Sequence, residues 1–123
     1  MAKTLEAEAR LEYMSPDLLD FDPSNPRFGG LMDNHSQDDI QKELLGEPYY
    51  ASELIDSLTE NGFIDYEPLV VKRKGKRYSV VEGNRRLAAI REIRANPERY
   101  KGRKSDLTQI PALVFPDKPD EHQ

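Results

Sequence analysis

The chain has 123 residues, 37% of them hydrophobic and 33% charged, which allows one domain with a modest core and is too apolar for a disordered segment. It contains no cysteine, so disulfides, thiolate metal sites and thiol catalysis are excluded. The net charge of −5 is uneven: residues 72–104 hold 13 of the 18 basic residues and three acids, a net of +10, and the other 90 residues sum to −15.

No apolar run approaches the roughly 18 residues of a membrane span, and the opening Met1-Ala2-Lys3-Thr4-Leu5-Glu6 lacks the apolar core of a secretion signal. A cytoplasmic protein without a membrane partner is expected. Residues 1–9 read as a loosely docked lead. Leu11 to Met14 alternates as a short strand. Ser15-Pro16-Asp17 is a helix start, with Ser15 as cap and Pro16 at the first helical position, and this short helix ends before Asp22-Pro23-Ser24-Asn25-Pro26. Phe28-Gly29-Gly30 continues as loop. Ser36 to Leu45 reads as a second helix. Ala51 to Asn61 reads as a third, with Leu54, Ile55 and Leu58 on one face and Gly62 as its stop.

The clearest strand signal follows Pro68. Leu69-Val70-Val71 and Tyr78-Ser79-Val80-Val81 flank Lys74-Gly75-Lys76, which predicts an antiparallel hairpin over 68–73 and 77–81. A helix is predicted from Arg85 to about Ala95, with Leu87, Ile90 and Ile93 on its buried face, until Asn96-Pro97 breaks it. Residues 97–109 are a charged excursion. Ile110 to Phe115 is a final strand whose Pro111 calls for an edge position. Residues 116–123 form a polar tail. The expected fold is therefore α+β: a small mixed sheet of about four strands with helices packed on it, spanning residues 10–115.

Chemistry concentrates in Val81-Glu82-Gly83-Asn84-Arg85-Arg86-Leu87. A strand ends, Gly83 permits a tight path, Asn84 is positioned to cap, and a helix opens with two arginines. Those cations oppose the partial positive charge of the helix N-terminus. An anion over the helix end reverses that sign, because backbone N–H groups, dipole and guanidinium forks then act together. The alternative is that Glu82 or another carboxylate neutralises the pair. Phosphate binding by Gly83, Asn84, Arg85 and Arg86 is the expectation. The hairpin tip, with Lys72, Lys74, Lys76 and Arg77, offers contacts to a nucleic-acid backbone, and it is expected to join the turn in one continuous positive face. His35 and His122 lack metal or triad partners in the sequence, and Asp17, Asp20 and Asp22 fall where caps and turns use aspartate. Tyr49 and Tyr50 read either as half-buried packing or as a platform for a base.

Five segments in order also resemble a known superfamily: Leu19-Asp20-Phe21-Asp22-Pro23-Ser24-Asn25-Pro26-Arg27, then Glu53 to Phe63, then Glu67-Pro68-Leu69-Val70-Val71, then Val81 to Ala89, then Ile110-Pro111-Ala112-Leu113-Val114. Together they are similar to the N-terminal domain of ParB, whose fold is shared with sulfiredoxin. In that family a Gly-Glu-Arg-Arg turn holds nucleotide phosphates. Gly83, Arg85 and Arg86 match it, and Asn84 stands where ParB has glutamate. The family's Asn-Pro-Arg element matches Asn25, Pro26 and Arg27, which implies a phosphate or base contact from Arg27. Its Gln-Pro becomes Glu67-Pro68, which leaves the base preference open. Sulfiredoxin chemistry needs a cysteine where Asn84 stands and is excluded.

The resemblance implies a nucleoside-triphosphate-binding switch or NTPase module, acting on CTP or ATP with Mg²⁺ brought by the phosphates, in a DNA-linked bacterial or mobile-element system such as partition. Haem, flavin and zinc are not implied. Implied partners are the nucleotide, a DNA backbone, and further domains or a homodimer. In ParB a helix-turn-helix reader follows this domain, so partition-site recognition is not expected within these residues. Two alternatives stand beside this reading. One is a nuclease or phosphotransferase, for which Glu82 is the candidate catalytic carboxylate. The other is a DNA-backbone or protein interaction module without nucleotide.

Overall fold

A computed structural model describes residues 9–61, 67–100 and 107–116. The readings of residues 1–8, of the Gly62 stop, of 101–106 and of 117–123 lie outside them. The described strands are β1 (Arg10–Met14), β2 (Leu19–Phe21), β3 (Leu69–Lys74), β4 (Arg77–Glu82) and β5 (Ile110–Phe115), and the α-helices are α1 (Gln37–Leu45), α2 (Glu53–Asn61) and α3 (Asn84–Ala95). The strands form one five-stranded sheet in the order β1-β5-β3-β4-β2. β1–β5 and β3–β4 are antiparallel, whereas β3–β5 and β2–β4 are parallel. The sheet is mixed, as expected, with one strand more.

That fifth strand corrects the first predicted helix. Ser15 does cap, its Oγ accepting from the Asp17 N–H at 3.1 Å, but only a 3-10 turn over Pro16–Leu18 follows. Leu19 and Phe21, each 1% exposed, then alternate with half-exposed Asp20 as a strand parallel to β4. Three residues are too few to display a period. A second correction concerns Pro111, because β5 lies between β1 and β3 instead of at an edge. Its ladder to β3 begins at Ala112, so Pro111 has only β1 beside it, and no central hydrogen bond is lost.

Alternation along the strands sorts the two faces. Met14, Leu69, Val71, Tyr78, Val80, Ile110, Ala112 and Val114 are buried with Leu19 and Phe21. On the other face Leu11, Tyr13 and Val81 are exposed, and Val70, Leu113 and Phe115 are half-buried. The core joins the buried strand face to Ile40 and Leu44 of α1, Ile55 and Leu58 of α2, and Leu87, Ala88, Ala89, Ile90 and Ile93 of α3. Four successive buried residues in α3 are more than one amphipathic stripe, and this helix also packs against α1 and α2. Capping of α1 is strong: the Ser36 Oγ accepts from the Asp39 N–H at 3.1 Å, and Asp38 and Asp39 complement the dipole in the first turn.

The outer edge of β2 is closed by a side chain. The Gln37 amide accepts from the Phe21 N–H at 2.8 Å and donates to the Phe21 carbonyl at 2.9 Å, filling the place of a neighbouring strand. Gln37→Leu removes both partners from part-buried backbone groups. A loss of about 1–3 kcal/mol is expected, read as a lower urea midpoint at constant slope. A loss below about 0.5 kcal/mol would show that water replaces the amide at no cost.

Candidate anion-binding site

β4 carries the chain to Glu82, and Gly83 turns it into α3. Gly83 has φ +107°, and an added Cβ would lie 2.3 Å from Leu69 Cδ2, so this path is open to glycine alone. Gly83, not Asn84, is the N-cap, and no side chain caps the helix. The capping role expected of Asn84 is thereby corrected. Asn84 is the first helical residue, and its amide turns inward to donate to the Val80 carbonyl at 3.3 Å. Its Oδ1 is buried without a hydrogen-bond partner, so the side chain as placed does not reach outward. What it offers an anion is its backbone N–H, in the first turn where N–H groups lack intrahelical acceptors.

The two arginines that follow are braced by main-chain carbonyls. Arg86 Nη1 donates to the Glu67 carbonyl. Burial lowers the Arg86 pKa, the charges of Glu67 and Glu82 acting against it, from a starting value so high that the guanidinium stays charged. Arg85 Nη2 donates to the Tyr50 carbonyl at 3.2 Å and stands 3.9 Å from Glu53 Oε1, a loose pair between exposed groups. Tyr50 takes φ +52°, unusual for a residue with a Cβ. A carbonyl accepts a hydrogen bond without cancelling the guanidinium charge.

Asn25 and Arg27 reach the same place from the N-terminal third. Asn25 is buried, its Nδ2 donating to the Val81 carbonyl at 3.0 Å and its Oδ1 accepting from the Arg27 N–H at 2.9 Å. The structure uses it as a brace that ties the 3-10 turn Pro26–Phe28 to β4. Arg27 extends over the turn, its Nη2 3.0 Å from Glu82 Oε2, with both side chains at least half exposed. Glu67 contributes its carbonyl, and its side chain is not among the residues that line the cleft.

These elements enclose a cleft of about 440 Å³ lined by Arg27 and by Glu82 to Arg86, with an apolar wall that includes Phe28, Tyr49 and Leu54. The Phe28 and Tyr49 rings meet edge to face, 5.9 Å between centroids. Phe28 was the residue sequence reasoning missed. A large aromatic isolated between Pro26 and Gly29-Gly30 was its only signal. Glu82 is the one acid on the lining among the described residues, and its partner is Arg27.

The single positive face is not what forms. β4 runs from Arg77 to Glu82, so the hairpin tip and the Gly83 turn stand at opposite ends of the strand. Arg77 is also engaged, its Nε 2.8 Å from Asp20 Oδ2 and its Nη2 2.8 Å from the Asp17 carbonyl, and the Asp20 hydrogen bond and charge raise its pKa. Arg94, at the far end of α3, pairs with Asp17 at 3.2 Å. A larger cleft of about 590 Å³ lies there, but its arginines and aspartates largely answer one another. Lys72, Lys74 and Lys76 remain exposed at the tip.

Comparisons with known proteins bear on the fold. A family model described as the ParB N-terminal domain matches residues 34–114. Among curated proteins the sequence finds no match. The C-terminally truncated chromosome-partitioning protein ParB from Caulobacter crescentus, complexed with CTP-γ-S, superposes with a TM-score of 0.55 at 17% identity, over 90% of this chain and 46% of that one. SbnI with C-terminal truncation from Staphylococcus aureus gives 0.49 at 14% identity, over 90% and 32%. Sulfiredoxin from Arabidopsis thaliana gives 0.46 at 16%, over 87% and 85%. The chain thus spans less than half of that ParB chain. No helix among the described residues is long and apolar enough to cross a membrane.

Proposed function

The chain belongs to the ParB N-terminal domain family, and on that premise we propose that the turn into α3 binds the phosphates of a nucleoside triphosphate. One observation carries this reading: a glycine-only turn, an uncapped helix N-terminus and three arginine side chains converge on a single cleft. Backbone N–H groups of the first turn, Arg85 and Arg86 would hold the phosphates, with Arg27 swinging from Glu82 to the outermost one. Phe28 and Tyr49 supply an apolar wall for the sugar or base. Among the described residues no group of three metal-ligating side chains forms, so a Mg²⁺ ion would arrive on the phosphates and take its ligands chiefly from them. The CTP-γ-S complex of the Caulobacter ParB makes CTP the first nucleotide to try.

Thermal unfolding with CTP, ATP, GTP or inorganic triphosphate, each with Mg²⁺, tests the proposal. A ligand at about 100 times its Kd adds about 2.7 kcal/mol, a rise in Tm on the order of 10 °C for a domain of this size. A nucleotide binder responds to at least one nucleoside triphosphate more than to bare triphosphate. If only duplex DNA raises the Tm, the exposed lysines of the hairpin tip carry the function and the cleft does not. No response to any nucleotide ends the proposal.

A further inference from the structure

The sheet has two edges, and they are finished differently. On β2 the Gln37 amide occupies the outward groups of Phe21, and the Leu19 N–H is taken by the Pro16 carbonyl. On β1 the one strand partner among the described residues is β5. Pro111 fixes which β1 groups face outward. Lacking an N–H, it cannot complete a hydrogen-bonded pair with Tyr13 opposite, so the bonds to β5 fall on Arg10, Glu12 and Met14. The N–H and C=O of Leu11 therefore point away from the sheet, and its side chain is 53% exposed on the face the helices leave open.

We propose that β1 is the contact between two copies of this chain, pairing antiparallel with β1 of the second copy about a two-fold axis at Leu11. Charge selects this register. Residues directly opposite must share a face, so the axis has to pass through a residue position. An axis at Arg10 or at Glu12 sets like charges against each other. Moving it to Tyr13 leaves Glu12 facing an apolar Met14. An axis at Leu11 puts each Arg10 opposite the partner's Glu12, twice by symmetry. Leu11 then exchanges both backbone hydrogen bonds with its counterpart, and the Arg10–Glu12 pairs occupy the closer, non-hydrogen-bonded positions. Within one copy Arg10 faces Val114 and Glu12 faces Ala112, and neither has an ion-pair partner among the described residues. The product is a continuous sheet of two copies, with Leu11 and its half-buried neighbours Leu113 and Phe115 extending across the seam.

Sedimentation equilibrium of the full chain at about 0.1 mM, where a micromolar Kd saturates, decides the matter. The wild type is expected at twice the 14.1 kDa chain mass. Arg10→Glu alone and Glu12→Arg alone each create two like-charge pairs and should sediment as single chains, with unchanged circular dichroism. The double variant R10E/E12R restores both pairs with reversed polarity and should return to twice the mass. Mixing the two single variants should do the same, because each then faces its complement. A single-chain wild type overturns the proposal. So do single variants that keep twice the mass, or a double variant and a mixture that both stay at one chain.

Discussion

Gly83→Ala is expected to cost about 3 kcal/mol of folding free energy, out of the 5–15 kcal/mol typical of a small domain. Two penalties add. At φ +107° an alanine leaves the allowed regions for a residue with a Cβ, at about 1–3 kcal/mol. Its methyl would also lie 2.3 Å from Leu69 Cδ2. Leu69 is 0% exposed, so its side chain would have to shift within the core, and overpacking of this kind costs about 1–3 kcal/mol. The methyl also approaches Arg86 Nη2 to 3.3 Å, so the same change disturbs the phosphate site in molecules that still fold. Denaturation should show a Tm lower by on the order of 10 °C. A loss under about 1 kcal/mol would mean that the turn has another conformation in solution.

Arg86→Gln should weaken nucleotide binding by about 1.5–3 kcal/mol, or roughly 10- to 150-fold in Kd, the worth of a charge-assisted hydrogen bond. From the sequence, the free protein was expected to lose nothing by this change, because both arginines oppose the helix dipole. The structure alters that expectation for Arg86. Its guanidinium is partly withdrawn from water and donates to the Glu67 carbonyl, so a loss of about 1 kcal/mol without ligand is now expected. Arg85 is more exposed, and its Glu53 contact is loose at 3.9 Å. Arg85→Gln should leave the free protein within about 0.5 kcal/mol of wild type while still weakening nucleotide binding. Melting curves with and without nucleotide separate the two contributions. If both variants lose several degrees unliganded and bind every nucleotide as wild type does, the arginines are structural.

The sequence displayed what lies close along the chain. The hairpin over β3 and β4, the helix after Gly83 and the Ser15 cap each announce themselves within about a dozen residues, by alternation, by apolar spacing or by a capping side chain. β2 did not, because three residues become a strand only through β4, which lies 59 positions further along at Leu19 and Tyr78. The site divides in the same way. Gly83, Arg85 and Arg86 are contiguous and could be read together, and the family resemblance added Arg27. The inward turn of Asn84 and the aromatic wall of Phe28 and Tyr49 depend on tertiary contacts. The uniform basic face failed for a geometric reason. A charge count along the sequence contains no direction, and β4 and α3 carry their basic residues toward both ends of the molecule.

The strand order also bears on how this protein is made. β5 is the last of the described strands to be synthesised, yet it sits between β1 and β3. Until it leaves the ribosome, β1 has no partner in the sheet and β3 has an open flank. A growing chain can therefore assemble the β3–β4 hairpin with β2 and α3, but it cannot close the sheet before β5 has emerged. During that interval two unpaired strand edges are available to other chains, the stage at which chaperone protection matters most.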